Sequence, residues 1–322
     1  MKWNKWSGLP GRFSYALIGL CMVLVYPGCT SPGKQLSVSN GTLQGNQEKV
    51  IDGNAFPYDL SLPNSEFQLP FILNEVSGLT DIDTAHIACV QDEIGSIFIY
   101  NFINDSLVYE HQFDEPGDFE GLTYTQDEIF ILRSDGRLTA WTDFDPVAGG
   151  KRLQHWQLPL QTSNNEGLCY DSSFGRLLIA AKGKPDNPER KNERLIYSFD
   201  LKKRRLETDP VYSLSTSEIQ AAAHRFGIEQ EAYTAKGKPK PMNFRPSSLA
   251  VHPRTSEIYI ISAVDRILLS IDRMGKITFM TRLDPAMFAK AEGITFLSDG
   301  TMIITNEAAG VVPTLLVFKA EG

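Results

Sequence analysis

The sequence predicts an all-β fold, a five-bladed β-propeller with four-stranded blades, and three observations predict it. The first is a repeated motif. Phe119-Glu120-Gly121-Leu122 returns as Asn165-Glu166-Gly167-Leu168 and as Ala291-Glu292-Gly293-Ile294. Looser copies stand at Val76-Ser77-Gly78-Leu79 and Pro246-Ser247-Ser248-Leu249. The second is the period: Leu79 to Leu122, Leu122 to Leu168 and Leu249 to Ile294 are each about 43–46 residues, the length of one four-stranded blade. The third is that each copy opens an alternating apolar run, and more strand-like runs follow it.

The elements follow in order. Blade one is predicted at 77–82, 86–90, 96–102 and 107–113, and blade two at 120–124, 128–132, 137–141 and 153–158. Blade three is predicted at 166–170, 176–181 and 194–200. It then runs on for longer than a blade needs, because Leu168 to Leu249 is about 81 residues. Part of this insertion, 217–226, reads as a helix, with Ser215 and Glu218 forming a capping box. Blade four is predicted at 247–252, 257–262, 266–272 and 276–282, and blade five at 292–297, 301–305 and 314–318. Blade five lacks a fourth strand. The alternating segment 58–62, from Tyr58 to Leu62, is expected to supply it and close the ring, which removes an exposed sheet edge.

The N-terminus reads as an address. Lys2, Lys5 and Arg12 precede an apolar run from Phe13 to Tyr26, which ends in Pro27-Gly28-Cys29 and a polar stretch. A positive start and a short apolar run are the marks of a signal peptide, and the run is short for a membrane span. The Gly-Cys junction resembles a bacterial lipoprotein signal, although Tyr26 and Pro27 replace the usual small aliphatic residues. That resemblance implies cleavage before Cys29 and lipidation of Cys29, and the expectation is a monomer anchored to membrane lipid in the extracytoplasmic part of the bacterial cell envelope. Residues 1–28 are thus read as signal, 29–54 as a flexible tether rich in Ser, Gly, Asn and Gln, and 55–322 as the propeller.

Net charge is −8 over 322 residues, with no basic stripe, so nucleic acid is excluded as the main partner. Cys89 and Cys169 lie in strands of different repeats, where cysteine behaves as a small buried apolar residue. No disulfide framework or zinc spacing is present.

In an antiparallel blade, the start of the innermost strand and the end of the second strand share one rim. Glu120, Glu166 and Glu292 open innermost strands, and Glu75 precedes the first copy. Turns after second strands hold Asp92, Glu93, Asp135, Lys182, Asp265, Asn306 and Glu307. All should gather at one channel mouth. Clustered carboxylates there must be paired, protonated or bridged by a cation. Lys182 and Arg133 can pair some of them. A hard cation such as calcium could bridge Glu75, Glu120, Glu166 and Glu292, with Ser247 as a neutral ligand. An all-oxygen donor set disfavours zinc. The other reading is that the glutamates cap strand starts by accepting backbone N–H bonds.

Four segments together resemble the SdiA-regulated family of bacterial propellers, from Tyr58 to the C-terminus. They are Glu75-Val76-Ser77-Gly78-Leu79, Val90-Gln91-Asp92-Glu93-Ile94-Gly95, Gly117-Asp118-Phe119-Glu120-Gly121-Leu122 and Pro246-Ser247-Ser248-Leu249-Ala250-Val251-His252-Pro253. The resemblance implies a five-bladed, often membrane-tethered propeller, with calcium in at least one member and no established activity. It also implies a distant similarity to NHL-repeat propellers, many of which bind proteins.

No Gly-x-Ser-x-Gly elbow and no phosphate loop is present, and none of the five histidines occupies a recurring rim position. Two function classes remain. One is a binding or scaffold module that uses the rim for a protein or a small-molecule ligand. The other is a calcium-dependent hydrolase, phytase-like or lactonase-like, which would need an open metal position and basic residues for phosphate. The basic candidates Arg133, Lys182, Arg245, Arg266 and Lys290 are scattered, which favours binding.

Overall fold

The computed structural model describes residues 56–228 and 242–321. The signal, the tether and Cys29 lie outside the described residues. Among those described, no helix is long and apolar enough to cross a membrane.

Strand β1 (Ser65–Gln68) comes first in the chain and belongs to the last blade. Blade one is β2 (Val76–Asp81), β3 (His86–Gln91), β4 (Ser96–Asn101) and β5 (Ser106–Gln112). Blade two is β6 (Phe119–Tyr124), β7 (Glu128–Arg133), β8 (Arg137–Thr142) and β9 (Arg152–Gln157). Blade three is β10 (Asn165–Asp171), β11 (Arg176–Ala181) and β12 (Glu193–Asp200), with two short pieces, β13 (Arg205–Leu206) and β14 (Tyr212–Ser215), both paired to β12. Helix α1 (Thr216–Arg225) follows, and Ser215 and Glu218 form the expected capping box. Blade four is β15 (Ser248–Val251), β16 (Ile258–Ser262), β17 (Ile267–Ile271) and β18 (Ile277–Arg282). Blade five is β19 (Ala291–Phe296), β20 (Met302–Asn306) and β21 (Thr314–Phe318), completed by β1. The expected five four-stranded blades are present, and each innermost strand packs beside the next around a closed ring.

An N-terminal strand closes the ring, but it is not the segment the alternation pointed to. Residues Ser65 to Gln68 pair antiparallel with Val317 to Thr314. Segment 58–62 is a turn: Asp59 Oδ1 accepts from both the N–H and the hydroxyl of Ser61 at 2.8 and 2.6 Å, and Pro63 follows. Tyr58 is instead a plug. Its ring is buried, it packs edge-on to Phe56, and its hydroxyl donates to Gly300 O at 2.5 Å.

The core is divided into five clusters, one between each pair of adjacent blades. Strand alternation supplies two clusters from one strand. In β11, Leu177, Ile179 and Ala181 face blade two while Leu178 and Ala180 face blade four. In β16, Ile258 and Ile260 face blade three while Tyr259 and Ile261 face blade five. These strands therefore read as continuous apolar runs. Cys89 and Cys169 are buried free thiols within this packing. An ion cluster adds to the blade three–four seam: the fully buried Asp171 pairs with Arg176 at 2.9 Å and with Arg273 of the β17–β18 turn at 2.8 Å.

The motif glycines allow the innermost strands to approach. A Cβ on Gly121 would lie 2.6 Å from Leu168 Cβ and 2.8 Å from Glu166 O. One on Gly293 would meet Ser77 O at 2.8 Å. One position beyond the motif leucine, hydroxyls stitch the strands together. Thr80 accepts from Tyr124 N, Thr123 from Tyr170 N and Thr295 from Asp81 N, at 3.0–3.2 Å. Cys169 takes the same role toward Val251 N through sulfur.

Candidate functional site

The motif glutamates sit at one channel mouth because of a repeated irregularity. Strands β6, β10 and β19 each carry a β-bulge at the glutamate, between Phe119 and Gly121, Asn165 and Gly167, and Ala291 and Gly293. Strand β2 has the same break between Val76 and Leu79. A bulge leaves one residue out of the ladder and re-aims its side chain. Blade four differs: β15 begins at Ser248, and Ser247 lies just before it.

Lys182 organises the charges. It directly follows β11, and its ammonium is 2.6 Å from Glu166 Oε2 and 3.8 Å from Glu292 Oε1. Glu166 belongs to blade three and Glu292 to blade five. The lysine thus spans the position of blade four, where the motif has Ser247 instead of glutamate. Ser247 Oγ donates to the carbonyls of Ile261 and Ala291, both at 3.3 Å, so it braces the backbone there. Glu166 also accepts from Asn164 Nδ2 at 2.8 Å. Glu120 accepts from Ser77 Oγ at 2.9 Å.

A second group continues the rim through blades five and one. Lys290 bonds Glu307 and lies 3.5 Å from Glu292 Oε1. Glu75 is hydrogen-bonded to Glu307, and that bond, burial and the Glu307 charge raise the Glu75 pKa. Burial, then the charges of Glu307, Glu93 and Asp118, pushes Asp92 up to about 6.

The same physics acts more strongly on the deeper pair. Burial first, with Asp118 and Glu292 adding to it and Ser77 and Lys182 opposing, pushes Glu120 up to about 7. Burial and the Glu120 charge push Glu166 up to about 8, even with Lys182 in contact. Burial works to lower Lys182, and Glu292, Glu166 and Glu120 more than offset it, so the ammonium keeps its proton. The deep pair therefore exchanges protons with solvent near neutral pH, the range in which acid–base groups are useful.

Other predicted rim residues stand apart. Asp135 pairs with Arg133, and also accepts from Arg137 N, on the exposed turn after β7. Asp265 lies near Arg282, Arg194 and Arg245. Asn306 is buried and donates to Met287 O and Thr314 Oγ1. Glu93 approaches the cluster through Asp92. Ser77 and Asn164 were missed as partners, although each stands in or directly before a motif copy. Among the described residues, no group of three or more His, Cys, Asp or Glu side chains is arranged to hold a metal ion. The Lys182 ammonium lies between Glu166 and Glu292.

The inner strands end at the opposite mouth, around a cavity of about 280 Å³ to which all five blades contribute. Leu79, Leu168, Leu249 and Ile294 line it on the side of the glutamates.

No family model and no curated protein sequence matches the chain. Solved structures do. A glutaminyl cyclase from Myxococcus xanthus aligns over 81% of this chain and 96% of its own, with a TM-score of 0.53 and 14% identity. A streptogramin B lyase aligns over 79% of this chain and 97% of its own, with a TM-score of 0.45 and 17% identity. A virginiamycin B lyase from Staphylococcus aureus aligns over 76% and 68%, with a TM-score of 0.41 and 14% identity. At 14% identity the likeness to the glutaminyl cyclase is one of fold.

Proposed function

We propose that this protein is a ligand-binding β-propeller whose working site is the acidic channel mouth, and that its ligand presents a primary ammonium there. One observation carries the reading. Among the described residues, Glu75, Asp92, Glu120, Glu166, Glu292 and Glu307 face only Lys182 and Lys290 within the cluster, and several of these carboxyls are held toward the protonated form. Protons make up the missing positive charge. A ligand that brings its own positive charge would replace them. Glu166 and Glu292 are buried, so only a slender group such as an ammonium on an alkyl chain reaches them.

The test is calorimetric titration with 1,4-diaminobutane from about pH 6.5 to about pH 8.5, in buffers of different ionisation enthalpy. Binding should release protons and tighten by up to about tenfold per pH unit for each proton released. Glu166→Gln should remove part of that release. Absent or pH-independent binding refutes the reading. Calcium is the alternative occupant implied by the sequence pattern and by the resemblance to SdiA-regulated propellers. It would have to displace the Lys182 ammonium, so calcium that raises the melting temperature while diaminobutane does not would favour the metal. A hydrolytic role would need that metal first.

We place the propeller at the cell envelope, tethered through Cys29, on the strength of the N-terminal pattern. Cys29→Ser should move the body out of the membrane fraction, and continued membrane association without cleavage would refute the tether.

A further inference from the structure

The cavity at the opposite mouth has its own chemistry, independent of the glutamates. The apolar side chains of Leu79, Leu168, Leu249 and Ile294 separate the two ends. Below them the cavity is lined by Thr and Ser hydroxyls, the rings of Tyr124, Tyr170 and Phe296, and one carboxylate, Asp81. Asp81 Oδ1 accepts from Thr295 Oγ1 at 3.1 Å. Among the described residues no lysine, arginine or histidine forms an ion pair with Asp81, and burial raises its pKa.

His252, which also lines the cavity, adds no positive charge. Its Nδ1 accepts from the N–H groups of Arg254 and Thr255 at 3.2 and 3.0 Å. The hydrogen-bond network therefore assigns the ring proton to Nε2, which donates to Tyr58 Oη at 2.9 Å. Tyr58 in turn donates to Gly300 O. The ring is thus held as a neutral tautomer, and burial lowers its pKa. Among the described residues the cavity lining thus holds one carboxyl group and no positively charged side chain beside it.

We propose that this mouth is a second binding site, for a compact organic monocation of the quaternary-ammonium type, with Asp81 as its counter-charge. A quaternary ammonium carries no N–H and is weakly hydrated, so one desolvated carboxylate, apolar contact and aromatic rings suffice to hold it. A metal ion would need several more oxygens. The volume lies just below the range of about 300–1,000 Å³ typical of sites for drug-sized molecules, so the ligand is smaller than those.

Tetramethylammonium is the probe, tert-butanol its neutral match in shape, and sodium chloride the control for ionic strength. Melting curves and calorimetry are run on the folded full chain. Tetramethylammonium should raise the melting temperature saturably, and tert-butanol and sodium should not. Asp81→Asn, which keeps the shape and the bond to Thr295, should weaken binding at least tenfold. Ser172→Trp, at an exposed position on the cavity wall, should abolish it by obstruction and covers the case in which Asp81→Asn fails to fold. Glu166→Gln should leave it unchanged. No saturable effect of tetramethylammonium, equal binding by Asp81→Asn, or undiminished binding by Ser172→Trp overturns the proposal. Binding lost in Glu166→Gln would assign the cation to the other mouth and also overturns it.

Discussion

Glu166→Gln tests the electrostatics of the candidate site directly, through stability against pH. Glu120 and Glu166 both hold their protons more tightly in the folded protein than at the ordinary value of 4.5. The stability they contribute is fully present below that value and is lost as pH rises through about 7 and about 8. A window from about pH 6.5 to about pH 8.5 spans both of their transitions. Below it lie Asp92 and His252, and above it the buried thiols of Cys89 and Cys169, which burial pushes up. Across the window, a carboxyl titrating near 8 costs about 2 kcal/mol of stability and one titrating near 7 about 1 kcal/mol. The wild type should therefore lose about 3 kcal/mol, read by urea unfolding at closely spaced pH values. Glu166→Gln mimics the protonated side chain, so its curve should lose about 1 kcal/mol or less. The residual falls further because the Glu166 charge also helps to raise Glu120. A flat wild-type curve, or a variant as steep as the wild type, would refute the arrangement of buried acids around Lys182.

Gly121→Ala should destabilise by about 1–3 kcal/mol in urea, because its Cβ meets Leu168 Cβ and a backbone carbonyl at sub-van der Waals distance; an unchanged midpoint would mean the inner strands are farther apart. Asp171→Ala should cost about 3–5 kcal/mol, since it leaves Arg176 and Arg273 without their shared buried partner; a loss below 1 kcal/mol would show that both guanidinium groups find other acceptors or water. Tyr58→Phe removes the donor to Gly300 O and the acceptor for His252, at a cost of about 1–3 kcal/mol, and the His252 ring should become harder to protonate by NMR titration, because the imidazolium loses the acceptor of its Nε2–H.

The fold was legible because the repeat carries its own geometry. Glu120, Glu166 and Glu292 could be placed on one rim from antiparallel pairing alone, and Lys182 and Glu307 followed from their places after second strands. The closing strand was misplaced by a few residues because both 58–62 and Ser65–Gln68 alternate. The deciding signals were local: the Asp59–Ser61 turn and Pro63 break the first segment, while Phe67 can pack between Leu69 and the outer strands of blade one. Partner choice was not legible. Whether Arg133 turns toward Glu120 or back to Asp135 depends on a side-chain path that spacing does not encode. The opposite mouth is not legible in the sequence, because Thr80, Thr123, Cys169, Ala250 and Thr295 form a series only once the strands are laid side by side.

That series explains why blade four departs from the motif. Its Ala250 stands where three other blades have threonine, so it offers no hydroxyl to the next strand. Ser248, in the place of the motif glycine, supplies one instead: its Oγ accepts from Ile294 N at 3.3 Å. A serine fits there because the motif glycine is needed only where the neighbouring backbone crowds it. Ser247, in the place of the motif glutamate, removes a carboxylate from the rim at the blade that Lys182 must span to reach Glu292. A fourth motif glutamate at that point would compete for the same ammonium and add repulsion to Glu166 and Glu292. The departures in blade four thus serve two ends: one hydroxyl restores the stitch to the next inner strand, and one missing charge lets a single lysine tie blade three to blade five at the rim of motif glutamates.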